Sequence, residues 1–157
     1  MKITFLTVGK TEDTYLRDGI EKYVKRLKHY TKLEIVDLPE LKNTKSLSSE
    51  QQKSREAEMI LKKISPLDHV TLLDENGTEY TSKEFAGYID RRAIAGTNNL
   101  VFIVGGPYGF DRQVYDRAND KLSLSQMTFS HQMVRLFFIE QLYRAFTIIK
   151  GEPYHHS

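Results

Sequence analysis

The sequence predicts an α/β domain built on a mostly parallel sheet. Two observations predict it. Short apolar runs of strand length alternate with segments whose apolar residues recur every three to four positions. The run Leu100-Val101-Phe102-Ile103-Val104 is continuously apolar, as expected of a strand buried on both faces of a parallel sheet.

Ile3, Phe5, Leu6 and Val8 make a first strand closed by Gly9. Thr11 or Asp13 caps a helix with the stripe Leu16, Ile20, Tyr23, Val24 and Leu27. Leu33, Ile35 and Leu38 form the second strand, stopped by Pro39, and residues 40–45 read as loop. Ser48 or Ser49 opens a second helix. Its apolar residues Ala57, Ile60, Leu61 and Ile64 lie in its second half, so its first turns face water. Ser65-Pro66 ends it. Val70, Leu72 and Leu73 make the third strand, and Asn76-Gly77 is a turn signal. Ser82 caps a helix that buries Phe85, Ala86, Ile89 and Ala93. After the fourth strand, Asp111 caps a short helix through Val114, Tyr115 and Ala118. Leu122 and Leu124 give a short fifth strand. Ser130 caps the last helix, which Gly151 terminates, with Pro153 beyond. The 157 residues thus read as one domain, with neither an internal repeat nor a low-complexity segment.

Composition narrows the function. Lys and Arg number 23 against 21 for Asp and Glu, a net charge of +2. That is not the field of a protein that coats nucleic acid, though it allows a local basic patch. The absence of Cys excludes a disulfide framework, a thiolate nucleophile and a Cys-ligated metal. The five histidines show no ligand spacing with carboxylates, so no metal is expected. No apolar run approaches the roughly 18 residues of a membrane span, and Met1–Val8 is too short and too early for a signal segment. The expectation is a soluble cytoplasmic protein.

Three strand ends can hold a ligand: Leu73-Asp74-Glu75, Gly105-Gly106, and Leu124 through Phe129. The glycine pair has neither the GxGxxG spacing of a dinucleotide site nor the Lys-Ser/Thr of a P-loop. Glycine there permits positive φ and close backbone approach to a ligand, or simply makes a tight turn. The stretch Leu122–Phe129 alternates apolar and hydroxyl residues. It is either a half-buried strand leading to a capped helix, or a loop whose backbone reads an adenine edge while Leu124 and Met127 cover the base.

The last helix is apolar nearly all round, from Met133 to Ile149. A surface helix needs only one stripe. The second face is covered either by a homodimer partner or by burial as a central core helix. Glu140 and Arg144 can merely pair at i,i+4, or Arg144 and Arg135 can meet phosphate or a polarised carbonyl. His131 reads as structural. Tyr154-His155-His156 resembles a frayed terminus, but a histidine can act as a base near neutral pH.

Leu73 with Gly77, Gly105-Gly106, the block Leu122–Met133, Glu140-Gln-x-Tyr-Arg-Ala-Phe146 and Pro153-Tyr-His155, together with the opening Met1–Lys10, resemble the SPOUT-class methyltransferases. More narrowly, they resemble the small bacterial members acting on N3 of a pseudouridine in large-subunit ribosomal RNA. The resemblance covers essentially the whole chain. It implies an α/β fold with a deep C-terminal trefoil knot, against the general rule that chains do not thread loops. It implies a homodimer and S-adenosylmethionine held by Leu73, Gly105 and the run Leu124, Ser125, Gln126, Met127, Thr128 and Phe129. It also implies a 23S rRNA substrate on an assembled ribosome, met by shape and a few phosphate contacts.

Under that resemblance His155, or a water it holds, is the base for the imide proton. Tyr154 orients the uracil, and Arg144 stabilises charge on the flanking carbonyls. The tail of one subunit can reach the cofactor of the other. Two other classes stay open: a non-catalytic ribosome-binding factor on the same fold, and a phosphate-ester or nucleotide enzyme using Gly105–Gly109 as an anion nest beside Arg112.

Overall fold

A computed structural model describes residues 1–156. Five parallel strands form one sheet in the order β2-β1-β4-β3-β5. They are β1 Lys2–Val8, β2 Lys32–Leu38, β3 His69–Glu79, β4 Asn99–Val104 and β5 Asp120–Ser123. The helices between them are α1 Thr14–Leu27, α2 Ser49–Lys63, α3 Ser82–Ile94 and α4 Arg112–Arg117, and α5 Met133–Ile149 follows β5. The expected alternation and the parallel sheet are both present.

Alternation within the strands splits the core into two layers. Ile3, Phe5, Leu100, Phe102 and Val104 pack under α1, α3 and α5. Leu6, Val8, Val101 and Ile103 pack under α2 and α4. The first layer is tied by aromatics: the Phe138 ring lies 5.1 Å from Phe5 and 4.7 Å from Phe102. Thus α5 sits on the sheet and touches both α1 and α3. Much of its all-round apolar surface is covered within the chain. Phe137 and Ile149 are left 43% and 38% exposed.

The helix starts follow local chemistry. Ser48 and Thr81 each close a capping box, with Gln51 and Glu84 respectively. Thr81, not Ser82, therefore caps α3. Asp13 precedes α1 without a side-chain cap bond. Ser130 does cap the approach to α5, its Oγ accepting from the N–H groups of Gln132 and Met133, but the helix proper begins at Met133. Leu124 lies just past the end of β5.

The expected turn at Asn76-Gly77 is instead an interruption inside β3. Leu122 of β5 pairs with both Leu73 and Thr78, so residues 74–77 bulge out of the ladder. Sterics explain the glycine. A Cβ at residue 77 would stand 2.7–2.8 Å from backbone atoms of Lys121 and Leu122. The Asn-Gly pair signals a departure from regular backbone, and cross-strand contact decides that the strand resumes.

Candidate functional site

Neighbouring β3 and β4 send their chains to opposite layers, β3 into α3 and β4 into α4. Diverging connections open a crevice at the carboxyl ends of parallel strands. Here it is a cleft of about 560 Å³, within the size range of small-molecule sites. Leu73, Gly105, Leu124, Ser125, Met127, Thr128 and Phe129 all line it. Gln126 is not among the lining residues. His131, read from sequence as structural, also lines it.

The glycine wall is shaped by space more than by φ. Gly106-Pro107-Tyr108-Gly109 is a tight turn closed by Gly109 N–H donating to the Gly106 carbonyl at 3.1 Å. The positive φ anticipated for the glycine pair falls on Gly109, at 81°. Gly105 and Gly106 are glycines for room. A Cβ would lie 3.1 Å from the Phe110 ring at the first and 2.8 Å from the Glu56 carboxylate at the second.

The opposite wall is a chain of short-range bonds. Ser123 Oγ donates to the Ser125 carbonyl, and Ser125 Oγ accepts from Met127 N–H. Thr128 Oγ1 then donates to Glu75 at 2.8 Å, closing this loop onto the bulge of β3. Tyr115 donates to Asp74 across the mouth. Burial and that carboxylate together push the Tyr115 phenol above its usual range. Beyond the loop, buried Arg135 donates to the carbonyls of Val8, Gly9 and His131, so it is a tether between β1 and α5 with no phosphate role in view.

Charge in the cleft is one-sided. Asp74 and Glu75 line it, and no Lys or Arg does among the described residues. Arg112 is exposed and faces Asp116 at 3.6 Å. A carboxylate-lined crevice favours a cationic ligand and opposes phosphate, which removes the support for an anion nest.

Arg144, Tyr154 and His155 converge on one another. Arg144 donates to His155 Nδ1 at 3.1 Å and to Glu140 at 2.6 Å. Tyr154 donates to the same Glu140 oxygen at 3.0 Å, and its ring lies under the Arg144 guanidinium. Burial, Tyr23 and Glu140 push the Tyr154 phenol up, so it stays a donor. Tyr30 holds the tail in place by donating to Glu152 at 2.6 Å, and its phenol is pushed up to about 12 by that bond. Of the two readings the sequence leaves open for Arg144, the i,i+4 pair with Glu140 is present. The hold of Glu140 on Tyr154 was not foreseen, because only the fold returns the tail to α5.

This cluster is not in the cleft of its own chain. Val134 of α5 lines the cleft, and Arg144 follows ten residues later, about 15 Å along the helix axis.

No helix is long and apolar enough to cross a membrane, and no metal-binding cluster occurs among the described residues. The chain matches the family model described as Predicted SPOUT methyltransferase over residues 1–155. It is 54% identical over 156 residues to the Ribosomal RNA large subunit methyltransferase H of Christiangramia forsetii, covering 99% of both chains. It is 54% identical to the protein of that name from Phocaeicola vulgatus over all of both chains. A third, from Cytophaga hutchinsonii, is 54% identical over 99% of this chain and 100% of its own.

Proposed function

We propose that this chain, which belongs to the SPOUT methyltransferase family, transfers a methyl group from S-adenosylmethionine to N3 of a pseudouridine in 23S rRNA of the assembled ribosome. The whole-length relatives named for large-subunit rRNA methylation support the RNA substrate. The cleft supports the cofactor. It has the volume for a nucleoside with an amino-acid arm, backbone-rich walls for a base, and two carboxylates for a cation. That charge pattern is the observation that carries the reading.

S-adenosylmethionine, when bound, supplies a methyl group on a positively charged sulfur. Leu73, Gly105, Leu124, Ser125, Met127, Thr128 and Phe129 would hold it, with Asp74 and Glu75 facing its positive charge. Positioning supplies much of the catalysis in such a transfer. Arg144 occupies His155 Nδ1, so the neutral ring carries its proton on Nε2. The Arg144 Nε has no partner among the described residues, so the guanidinium is incompletely satisfied where it stands. Turning Arg144 to a uracil carbonyl frees Nδ1 to accept the imide proton and places positive charge on the oxygen that gains electron density. Tyr154 orients the ring, and Glu140 holds Arg144 and Tyr154 ready.

The separation along α5 supports a second copy. We place the tail cluster of one subunit over the cleft of the other in a homodimer. Tyr15, Phe129 and Phe137 are exposed near the start of α5, Tyr15 touching the half-buried Met133 and Phe129 pairing with the Phe137 ring at 5.2 Å. Exposed apolar side chains grouped in this way suit such an interface. The family resemblance carries the trefoil knot, residues 1–157 as one methyltransferase domain, and a cytoplasmic site of action beside ribosomes.

Calorimetry with S-adenosylmethionine, ATP and NAD tests the cleft. Methyl transfer to ribosomes lacking the modification tests the reaction. Selective binding of S-adenosylmethionine with label entering 23S rRNA is expected. Binding of ATP or NAD instead refutes the reading, and cofactor binding without transfer favours a non-catalytic ribosome-binding factor.

A further inference from the structure

Glu56 is the charged side chain that α2 buries, beside Ala57 and Ile60. It is 9% exposed. Its carboxylate lies directly against Gly106, where a Cβ would come within 2.8 Å of both oxygens. The Gly106 backbone favours its charged form. No Lys, Arg or His pairs with it among the described residues. Lys53, one turn earlier on α2, is taken by Glu50 at 2.8 Å. The nearby Glu40 adds repulsion.

A buried carboxylate without a cation is costly. This charge sits behind Gly106, a residue of the cleft wall, on the cleft that already carries Asp74 and Glu75. Burial pushes the Glu56 carboxyl up, and the Gly106 backbone only partly opposes this. A positively charged ligand in the cleft supplies the counter-charge that the protein withholds.

We propose that Glu56 is a specificity-determining residue whose carboxylate, acting across Gly106, makes the cleft prefer the cationic sulfonium cofactor over its neutral thioether product. This inference rests on reading the cleft as the S-adenosylmethionine site. The preference helps expel S-adenosylhomocysteine after each transfer, since the sulfur loses its charge with the methyl group.

The test is calorimetry on wild type, Glu56→Gln and Glu56→Asp with S-adenosylmethionine and with S-adenosylhomocysteine, together with thermal melting of each protein without ligand. Gln keeps the shape and removes the charge. It is expected to weaken S-adenosylmethionine about tenfold, to leave S-adenosylhomocysteine within about twofold, and to raise the ligand-free melting temperature. Asp keeps the charge and is expected to retain most of the preference. Equal weakening of both ligands, no change in either, or a Gln variant that melts lower overturns the proposal. Failure of the wild type to bind S-adenosylmethionine refutes the reading of the cleft instead.

Discussion

Replacing Gly77 with Ala tests how the bulge of β3 builds the cleft. The added Cβ would meet the Lys121 carbonyl carbon at 2.7 Å, and the Leu122 nitrogen and carbonyl carbon at 2.8 Å. All three are backbone atoms, so no side chain can swing aside. Ordinary carbon contacts begin near 3.5 Å, so β5 or the bulge must move by roughly 0.7 Å. Overpacking of this kind typically costs about 1–3 kcal/mol. For a chain of this length that lowers the melting temperature by roughly 2–12 °C. The displaced segments carry Asp74, Glu75, Leu122 and Leu124, which line the cleft, so cofactor affinity falls as well. Differential scanning calorimetry and ligand titration read the two effects. A Gly77→Ala protein that melts within about 1 °C of wild type and binds S-adenosylmethionine normally refutes the steric argument.

The tail cluster and the buried carboxylate give further expectations. Arg144→Ala and His155→Ala retain cofactor binding but each lose about 10²–10³-fold in turnover on ribosomes; wild-type turnover in both contradicts their roles. Tyr30→Phe removes the tether to Glu152. It lowers turnover several-fold with cofactor affinity unchanged, and an unaltered rate shows that the tail holds its place without it. The Glu56 carboxyl is raised in the folded protein, so its contribution to stability is present at acid pH and lost as pH rises through that raised value. Glu56→Gln therefore gains stability over wild type on going from acid to neutral pH in urea unfolding, and a pH-independent difference contradicts this.

The fold class was legible because strand and helix periodicities are strong and Leu100–Val104 is apolar on both faces. The capping boxes at Ser48 and Thr81 carry their own chemistry, and a one-residue error at Ser82 reflects two adjacent hydroxyl residues competing for one cap. The bulge at residues 74–77 was not legible, because it depends on how closely β5 approaches. Seven of the eight residues assigned to the cofactor through the family resemblance reach the cleft, and Gln126 does not line it. Glu56 was hidden, being one acid among many polar residues of α2; its place beside Ala57 on the buried stripe was the only trace. Convergence of Tyr154 and His155 on Arg144 follows from chain return, which local patterns do not encode. Separation of that cluster from the cleft is likewise a fact of three dimensions. Under the proposed reaction, it makes a site shared between subunits a requirement.

The most direct test of that requirement mixes two inactive proteins. Leu124→Arg places a cation in the cofactor cleft, and Arg144→Ala disables the tail cluster. Co-expressed in equal amounts, half of the dimers pair one with the other, and each such dimer has one cleft and one cluster intact on opposite subunits. Methyl transfer to ribosomes lacking the modification should then recover to about a quarter of wild type. No recovery, with mixed dimers demonstrably present, would contradict an active site shared between subunits.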